Sequence, residues 1–434
     1  MESKLSIRHW LTFIIAGLVG QFAWTIENMY LNRYVFYATS NYNFIAPMVA
    51  SSAVAATLTT LLMGALSDRY GKRKFFISVG YILWGISIIA FSFFNPKFIS
   101  NITFIGVMIV VLDCVMTFFG STANDAAFNA YVTDVTNTKN RGKVESVISI
   151  LPLIAMLIMF GLCDGLVQGS DPKWILFYCI FGGITMIVGI VCLFLIPKDV
   201  ATPNREEPYF KNIFYGFRPK VIKSNPMLYI VLIAFCVFNI GIQVYYPYFI
   251  VYVEHYLGIT EMNFTLTLGS VLLGACIITV VFGLFMDKIG KNRIMIPALL
   301  VNITGAILMF FARDIAFIIP AGMTMMTGHM VSISVLGAKI RDYTPEKEVG
   351  LFQGVRMIFG VAIPMVTGPY IGQALYSSTV ETYVNEYGQT VATPNQYIFL
   401  GAAIVMVFAI IPLLIIIFKD RKNGKQESTS ERVS

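Results

Sequence analysis

Gly64 to Lys74 reads G-A-L-S-D-R-Y-G-K-R-K, and Gly283 to Arg293 reads G-L-F-M-D-K-I-G-K-N-R. At an offset of 219, Gly64, Asp68, Gly71 and Lys72 meet Gly283, Asp287, Gly290 and Lys291. A second pair aligns at an offset of 208: D-V-T-N-T-K-N-R-G, from Asp134 to Gly142, meets D-Y-T-P-E-K-E-V-G, from Asp342 to Gly350. Asp, Thr, Lys and Gly recur in register. Two such matches at corresponding loops mark a chain built from two related halves.

The residues around these loops are apolar. Of the 434 residues, 57% are hydrophobic and 13% charged, against about 25% charged in soluble proteins. The mean hydropathy is +0.73. Runs near twenty residues recur, the length that crosses about 30 Å of hydrocarbon. A β-barrel would need alternating segments of about ten residues, and none appears. The first apolar run, from Trp10 to about Tyr37, is too long for a signal-peptide core and reads as an uncleaved span. Cys114, Cys163, Cys179, Cys192, Cys236 and Cys276 lie in or beside apolar runs without a CxxC pair, which argues against a disulfide framework or a zinc site.

Twelve spans are expected: 10–36, 44–67, 74–94, 101–133, 143–166, 174–196, 226–254, 264–286, 293–312, 315–339, 349–376 and 395–418. With both termini cytoplasmic, 26 of the 31 basic residues fall on the inner side, the distribution that sets orientation in a plasma or inner membrane. The positive charge is then an inner-leaflet anchor, and nucleic acid is not an expected partner. Prolines and charges from Pro197 to Pro226 suggest a linker with a surface helix. The organisation is therefore a bundle of six helices over 1–197, a linker over 198–225, a second six-helix bundle over 226–418 and a polar tail over 419–434. The fold class is an all-α polytopic membrane protein of two pseudo-symmetric bundles.

The paired loops resemble the G-x-x-x-D-x-x-G-[RK]-[RK] signature of the major facilitator superfamily, and the resemblance covers nearly the whole chain. It implies the major facilitator fold and secondary transport by alternating access. It also implies a gating latch of Gly64, Asp68, Arg69, Gly71 and Arg73 in the first half, with Gly283, Asp287 and Gly290 in the second. Arg141, Asp342 and Arg356 join that set through the T-D-x-T-x-x-x-x-R-G loop, its repeat and the F-x-G-V-R-M-x-F start of span 11. Those last two patterns look more like the glycoside–pentoside–hexuronide cation symporters and their sugar-transporting relatives. The acids typical of span 2 in sodium-coupled members have no counterpart between Phe44 and Ser67. The expected coupling ion is therefore a proton, with sodium as the alternative.

Polar residues at membrane depth carry the rest. Span 4 ends in S-T-A-N-D-A-A-F-N-A-Y-V-T-D, Ser121 to Asp134. At about 1.5 Å per residue, ten residues back from Asp134 is the bilayer centre, at Asn124 and Asp125. Ser121, Asp125 and Asn129 share one helical face. A charged Asp at that depth costs about 3 kcal/mol and should face a cavity or a partner; a polar clasp between helices is the alternative. In span 1, Gln21, Trp24 and Asn28 share a face beside Glu27. An aromatic ring among carboxamides suits a sugar, although Trp24 could equally pack in the core. Asp125 and Glu27 are the candidate cation-coupling residues. In span 7, Asn239, Gln243 and Tyr246 repeat the spacing, Gln243 takes the place of Trp24 at the 219 offset, and Pro247 should kink the helix. His329 in span 10 completes the candidate substrate-binding set with Asn124 and Asn129. Arg356 is expected to pair with Glu145 or Asp125, or to hold an anionic substrate. Asp113 and Asp164 read as exposed or helix-end acids, and Tyr248 and Tyr252 as boundary aromatics.

An enzyme finds no support. The glycines of the first loop are separated by six residues where a phosphate loop has four, and no Ser or Thr follows the Lys. No cofactor or metal ligand set appears. The expected activity is cation symport of a small polar solute, a sugar or glycoside, by a monomer in the lipid bilayer. The alternative is proton-coupled efflux of amphipathic compounds, whose usual Gly-Pro-rich motif is missing from span 5.

Overall fold

A computed structural model describes residues 5–136, 141–168, 171–197, 215–259, 261–345, 349–378, 382–384 and 390–430. In order, its apolar helices are α1 (Ile7–Thr39), α2 (Tyr42–Ser67), α3 (Arg73–Phe93), α4 (Ile102–Val135), α5 (Ile150–Leu166) and α6 (Trp174–Leu195). They continue with α7 (Pro226–Tyr256), α8 (Asn263–Thr279), α9 (Lys291–Phe311), α10 (Ile315–Tyr343), α11 (Gly354–Ser377) and α12 (Tyr397–Arg421). Among the described residues ten are long and apolar enough to cross a membrane, and α5 and α8 are shorter. Both belong to longer helices, which begin at Arg141 and end at Ile289 respectively. The chain is a multi-pass α-helical membrane protein, as its hydropathy predicts.

Local chemistry sets the helix ends. The Asn101 side chain accepts from Phe104 N at 3.0 Å to start α4, and Asp314 accepts from Phe317 N at 3.0 Å to start α10. Each fills one of the orphan donors of a first turn. Helix α2 runs on to Tyr70 and stops at Gly71, whose φ is +63°; Gly290, which precedes α9, has φ +90°. These two glycines are partners in the 219-residue repeat, and both occupy backbone space that a side chain disfavours. At Pro247, α7 tightens into a 3-10 turn over Tyr246–Tyr248 before resuming.

Several helices carry wide π turns: Ile26–Tyr30 in α1, Ser121–Phe128 in α4, Met159–Cys163 after Ile158, Tyr252–Tyr256 in α7 and Ile358–Ala362 in α11. Such turns are rare and gather at functional sites. Two of them enclose Glu27 and Asp125.

In the expected linker the described part is a 3-10 turn, Tyr215–Phe217, and a short helix, Pro219–Ser224, with residues 198–214 outside the description. A two-stranded antiparallel hairpin, β1 (Thr382–Val384) and β2 (Thr390–Ala392), stands between α11 and α12. Three residues per strand are too few for alternation to register in a sequence.

The chain divides into two compact units. The first holds Met1–Tyr209, Pro247–Gly269 and Val380–Thr393; the second holds Phe210–Tyr246, Ser270–Thr379 and Pro394–Ser434. The far end of α7 and the start of α8 thus belong with the first unit. There the side chains of Tyr248 and Tyr252 are fully buried, so they are core residues and not boundary aromatics.

Small residues let backbones meet in each unit, the usual means of packing helices in lipid. A Cβ on Gly85 of α3 would lie 2.4 Å from the Gly182 carbonyl oxygen and 2.6 Å from Met186 N of α6. In the second unit, a Cβ on Gly328 of α10 would meet Asn302 N of α9 at 2.3 Å. Because backbone cannot swing aside, Gly85→Leu is expected to destabilise the first unit by at least the 1–3 kcal/mol or so of ordinary overpacking. Gly183→Ala, where nothing lies within 4 Å, should leave the unfolding midpoint of the purified protein where it is. Equal midpoints for the two variants would refute the close backbone packing.

Candidate functional site

In the first unit, α1, α3 and α4 are joined by a short polar chain. The Trp24 indole N–H donates to Asn124 Oδ1 at 3.3 Å, Asn124 Nδ2 donates to the Tyr81 hydroxyl at 2.8 Å, and Tyr81 donates to the Ala16 carbonyl at 2.6 Å. The Trp24 ring lies 5.0 Å from that of Trp84, tilted by 58°. Trp24 and Asn124, predicted from separate spans, therefore meet. Asn124 is buried with its amide engaged at both ends, and Trp24 stays half-buried. Gln21 is half-buried one turn away, and its carbonyl accepts from Thr25. Asn28 gives its amide to the Trp24 carbonyl at 2.8 Å.

The two predicted acids sit in the two π turns. Glu27 is buried and accepts from the Thr117 hydroxyl at 2.9 Å through Oε1, while Oε2 has no hydrogen-bond partner. Asp125 accepts from the Ser121 hydroxyl at 3.0 Å, and Asn129 donates to its backbone carbonyl at 3.1 Å. The predicted face of Ser121, Asp125 and Asn129 is thus present, with Asn129 exposed. Among the described residues no Lys or Arg is paired with Glu27 or Asp125.

In the second unit, Asn239 donates to the Phe235 carbonyl of its own helix at 2.8 Å. Gln243 Oε1 and His329 Nδ1 are buried without a hydrogen-bond partner. His329 lies nearly parallel to Phe238, with ring centres 5.8 Å apart. Tyr246 is half-buried where this unit's share of α7 ends.

The repeated loops meet a partner in each unit. Arg73 is buried; its Nε donates to Asp134 at 2.9 Å and its NH1 to the Ser67 hydroxyl at 2.6 Å. In the second unit Lys291 Nζ donates to both oxygens of Asp342, at 2.8 and 2.9 Å. Asp134 and Asp342 are partners at the 208 offset, and the cations come from the two loops related at the 219 offset, shifted by one residue. The two sequence repeats therefore converge in space within each half. Gly64 is loosely packed, since a Cβ there would meet only Ala126 Cβ at 3.9 Å. Arg69 and Arg356 are exposed. The side chains of Asp68, Arg141, Glu145 and Asp287, and the surroundings of Gly283, lie outside the described residues.

Residues 9–339 and 256–433 match the Major Facilitator Superfamily. The chain belongs to that superfamily. Multidrug resistance protein 2 of Bacillus subtilis (strain 168) is 23% identical over 273 residues, 61% of this chain and 62% of that relative's length. Among solved structures, the nucleoside transporter NupG superposes with a TM-score of 0.72 at 11% identity, covering 94% of this chain and 99% of that one. A D-xylose–proton symporter superposes with a TM-score of 0.67 at 14% identity, covering 93% and 96%. At such identities these structures speak for the fold alone.

This facilitator also holds charged side chains whose burial and partners its sequence does not reveal. Asp164, expected at an exposed helix end, is 1% exposed. Its carboxylate accepts from Arg33 NH1 at 3.0 Å and from Gln168, while Arg33 NH2 reaches Glu254 at 2.8 Å. All three charged residues are in the first unit. Asp113, also expected to be exposed or at a helix end, is 1% exposed within α4. In the second unit Asp420 gathers Lys339 Nζ at 2.7 Å, Asn292 Nδ2 at 2.9 Å and the Tyr343 hydroxyl. The partners of these acids are remote in the chain, 131 residues away for Arg33 and Asp164. The one local signal was that each acid lies in or beside an apolar run.

A buried cation flanked by two carboxylates makes a firm prediction. Removing one partner of a buried ion pair leaves uncompensated charge and costs about 3–5 kcal/mol. Arg33→Met should therefore lower the unfolding midpoint of the purified protein markedly. Lys97→Ala breaks the exposed pair with Asp171 and should not move it. A midpoint unchanged by Arg33→Met would mean that the triad is not formed in the membrane.

Proposed function

We propose that this facilitator is a proton-coupled symporter for a small polar solute, a sugar or glycoside, with both termini on the cytoplasmic side of the plasma membrane. The observation that carries this reading is the setting of Glu27 and Asp125. Both lie in apolar spans, both take a hydroxyl donor, and neither has a described cationic partner. At such depth a carboxylate needs a partner or a proton. A hydroxyl serves either state, because it donates to a carboxylate and accepts from a carboxylic acid. A guanidinium holds only the ionised form. Glu27 and Asp125 are thus suited to exchange a proton during a transport cycle, where Asp164 and Asp134, bound to arginines, are suited to stay charged.

The solute class rests, in the first unit, on the half-buried Trp24, whose ring can cover the apolar face of a sugar beside Gln21; in the second unit Gln243 and His329 can take hydroxyls. Gln243 Oε1 and His329 Nδ1 already lack partners. A D-xylose–proton symporter and a nucleoside transporter share the fold, so the fold itself can accommodate polar solutes of this kind. One charge falling through 100 mV supplies about 2.3 kcal/mol, enough for roughly fiftyfold accumulation. Proton-coupled efflux is the second reading, favoured by the relative named for multidrug resistance.

Uptake of labelled glycosides and uronides into proteoliposomes, under a proton gradient and separately under a sodium gradient, tests the proposal. Proton-driven accumulation is the expected result. Sodium-driven accumulation would retain the solute class and discard the ion; extrusion of amphipathic cations without sugar uptake would favour efflux. Asp125→Asn should abolish the accumulation, and full concentrative uptake by that variant would remove Asp125 from coupling.

A further inference from the structure

Along α4, Asp113, Thr117, Ser121, Asp125, Asn129 and Thr133 recur at every fourth position. From the first to the last the helix rises about 30 Å, the thickness of the hydrocarbon. In a plain α-helix each step of four overshoots a full turn by about 40°, so such a series would wind away from one face. The π turn at Ser121–Phe128 bonds i to i+5 and needs more residues per turn. A step of four there falls short of a full turn and swings the series back. Hydrogen bonds run along it: Thr117 to Glu27, Ser121 to Asp125, Asn129 to the Asp125 carbonyl, and Thr133 to the Asn129 carbonyl at 3.0 Å.

Asp113 begins this series and has no part in the reading above. It lies one helical turn from Thr117 on the same face, and Thr117 is bonded to Glu27. Asp113 Oδ1 and Glu27 Oε2 are both buried and both lack a hydrogen-bond partner. The titratable and polar groups around the pair are Ser52 of α2, Cys114 and Asp125 of α4, and Tyr178 of α6. None of them is a cation. Glu27 is held by Thr117, and Asp113 stands one helical turn from that hydroxyl; two ionised carboxylates so placed at low dielectric repel, and a single proton between them removes the repulsion.

We propose that Asp113 and Glu27 share one proton through the Thr117 hydroxyl, and that Asp113 is the residue that delivers it to Glu27. In the transfer the Asp113 acid gives its proton to Thr117 Oγ1 while the Thr117 hydroxyl proton passes to Glu27 Oε1. Asp113 becomes the carboxylate, Glu27 becomes the acid, Thr117 is unchanged, and the total charge is conserved. The assignment rests on the proton-coupled reading for its role in transport, but the sharing itself can be read without any solute.

Infrared difference spectra of the full chain in lipid, recorded as pH is varied, report the C=O stretch of protonated carboxylic acids. Asp113→Asn is expected to delete one band and to move the titration midpoint of the Glu27 band by about one pH unit, a tenfold change in proton affinity. Glu27→Gln should do the converse. Thr117→Val should alter both bands, and Thr117→Ser should restore them. Should Asp113→Asn fail to fold, Asp113→Glu keeps the carboxyl and must show the same coupling at a displaced band. If each substitution deletes its own band and leaves the other midpoint in place, the acids are independent and the proposal is overturned. Absence of any titrating buried band overturns it too. In proteoliposomes Asp113→Asn should lose the roughly fiftyfold accumulation supplied by one charge at 100 mV. If wild type shows no proton-driven uptake, the symport reading fails, while the infrared coupling still decides whether the pair shares a proton.

Discussion

Hydrocarbon provides no hydrogen-bond partner, so each polar group that enters a span must be satisfied from within the protein. The hydroxyls and amides of this chain meet that constraint mostly by turning back on their own helices. Thr12, Thr25, Asn28, Asn32, Thr185, Asn239 and Thr367 each donate to the carbonyl four residues earlier. Carboxylates have no proton to donate and cannot do this. Every acid in a span must find its partner elsewhere, and the nature of that partner separates the acids into two kinds.

Asp164 and Glu254 share Arg33, Asp134 takes Arg73 and Asp420 takes Lys339. A cation holds each of these carboxylates and ties together parts of the chain that are far apart in sequence. Glu27 and Asp125 take hydroxyls, and Asp113 stands beside Glu27. The first kind holds positions within a unit. The second kind can change its protonation without losing its neighbour, and that freedom is what the proposed proton coupling requires. Two of the five described π turns hold Glu27 and Asp125, and a third holds Glu254, so the wide turns serve acids of both kinds.

The fold was largely legible, because span length and the two loop repeats are local properties that hydropathy and register expose directly. Gly71 and Gly290 illustrate this: they are partners in the repeat, and both have positive φ, although Gly71 is left-handed helical and Gly290 is not. Partners were harder. Nothing in the run around Asp164 announces Arg33, and a residue near a span end looks exposed until a distant segment covers it. Tyr248 and Tyr252 misled for the same reason, since boundary tyrosines and buried ones are identical in sequence. Of the candidate site, Trp24 and Asn124 do touch, but the amide of Asn124 is spent on Tyr81 and the indole. Periodicity can say which side chains share a face; it cannot say which of their hydrogen bonds remain free.

A π turn is also a matter of counting. It holds at least one residue more than an α-helix of the same rise, so the segment of α4 beyond Phe128 is set in rotation by the number of residues in Ser121–Phe128 and not only by their kinds. Take one residue out, and the helix can close into a regular α-helix. Everything from Asn129 to Val135 would then turn by about 100° relative to Asp113. Asp134 would leave the side that faces Arg73, although neither residue had been altered. A single-residue deletion in α4 is therefore a long-range change, felt at the loop where the two repeats meet.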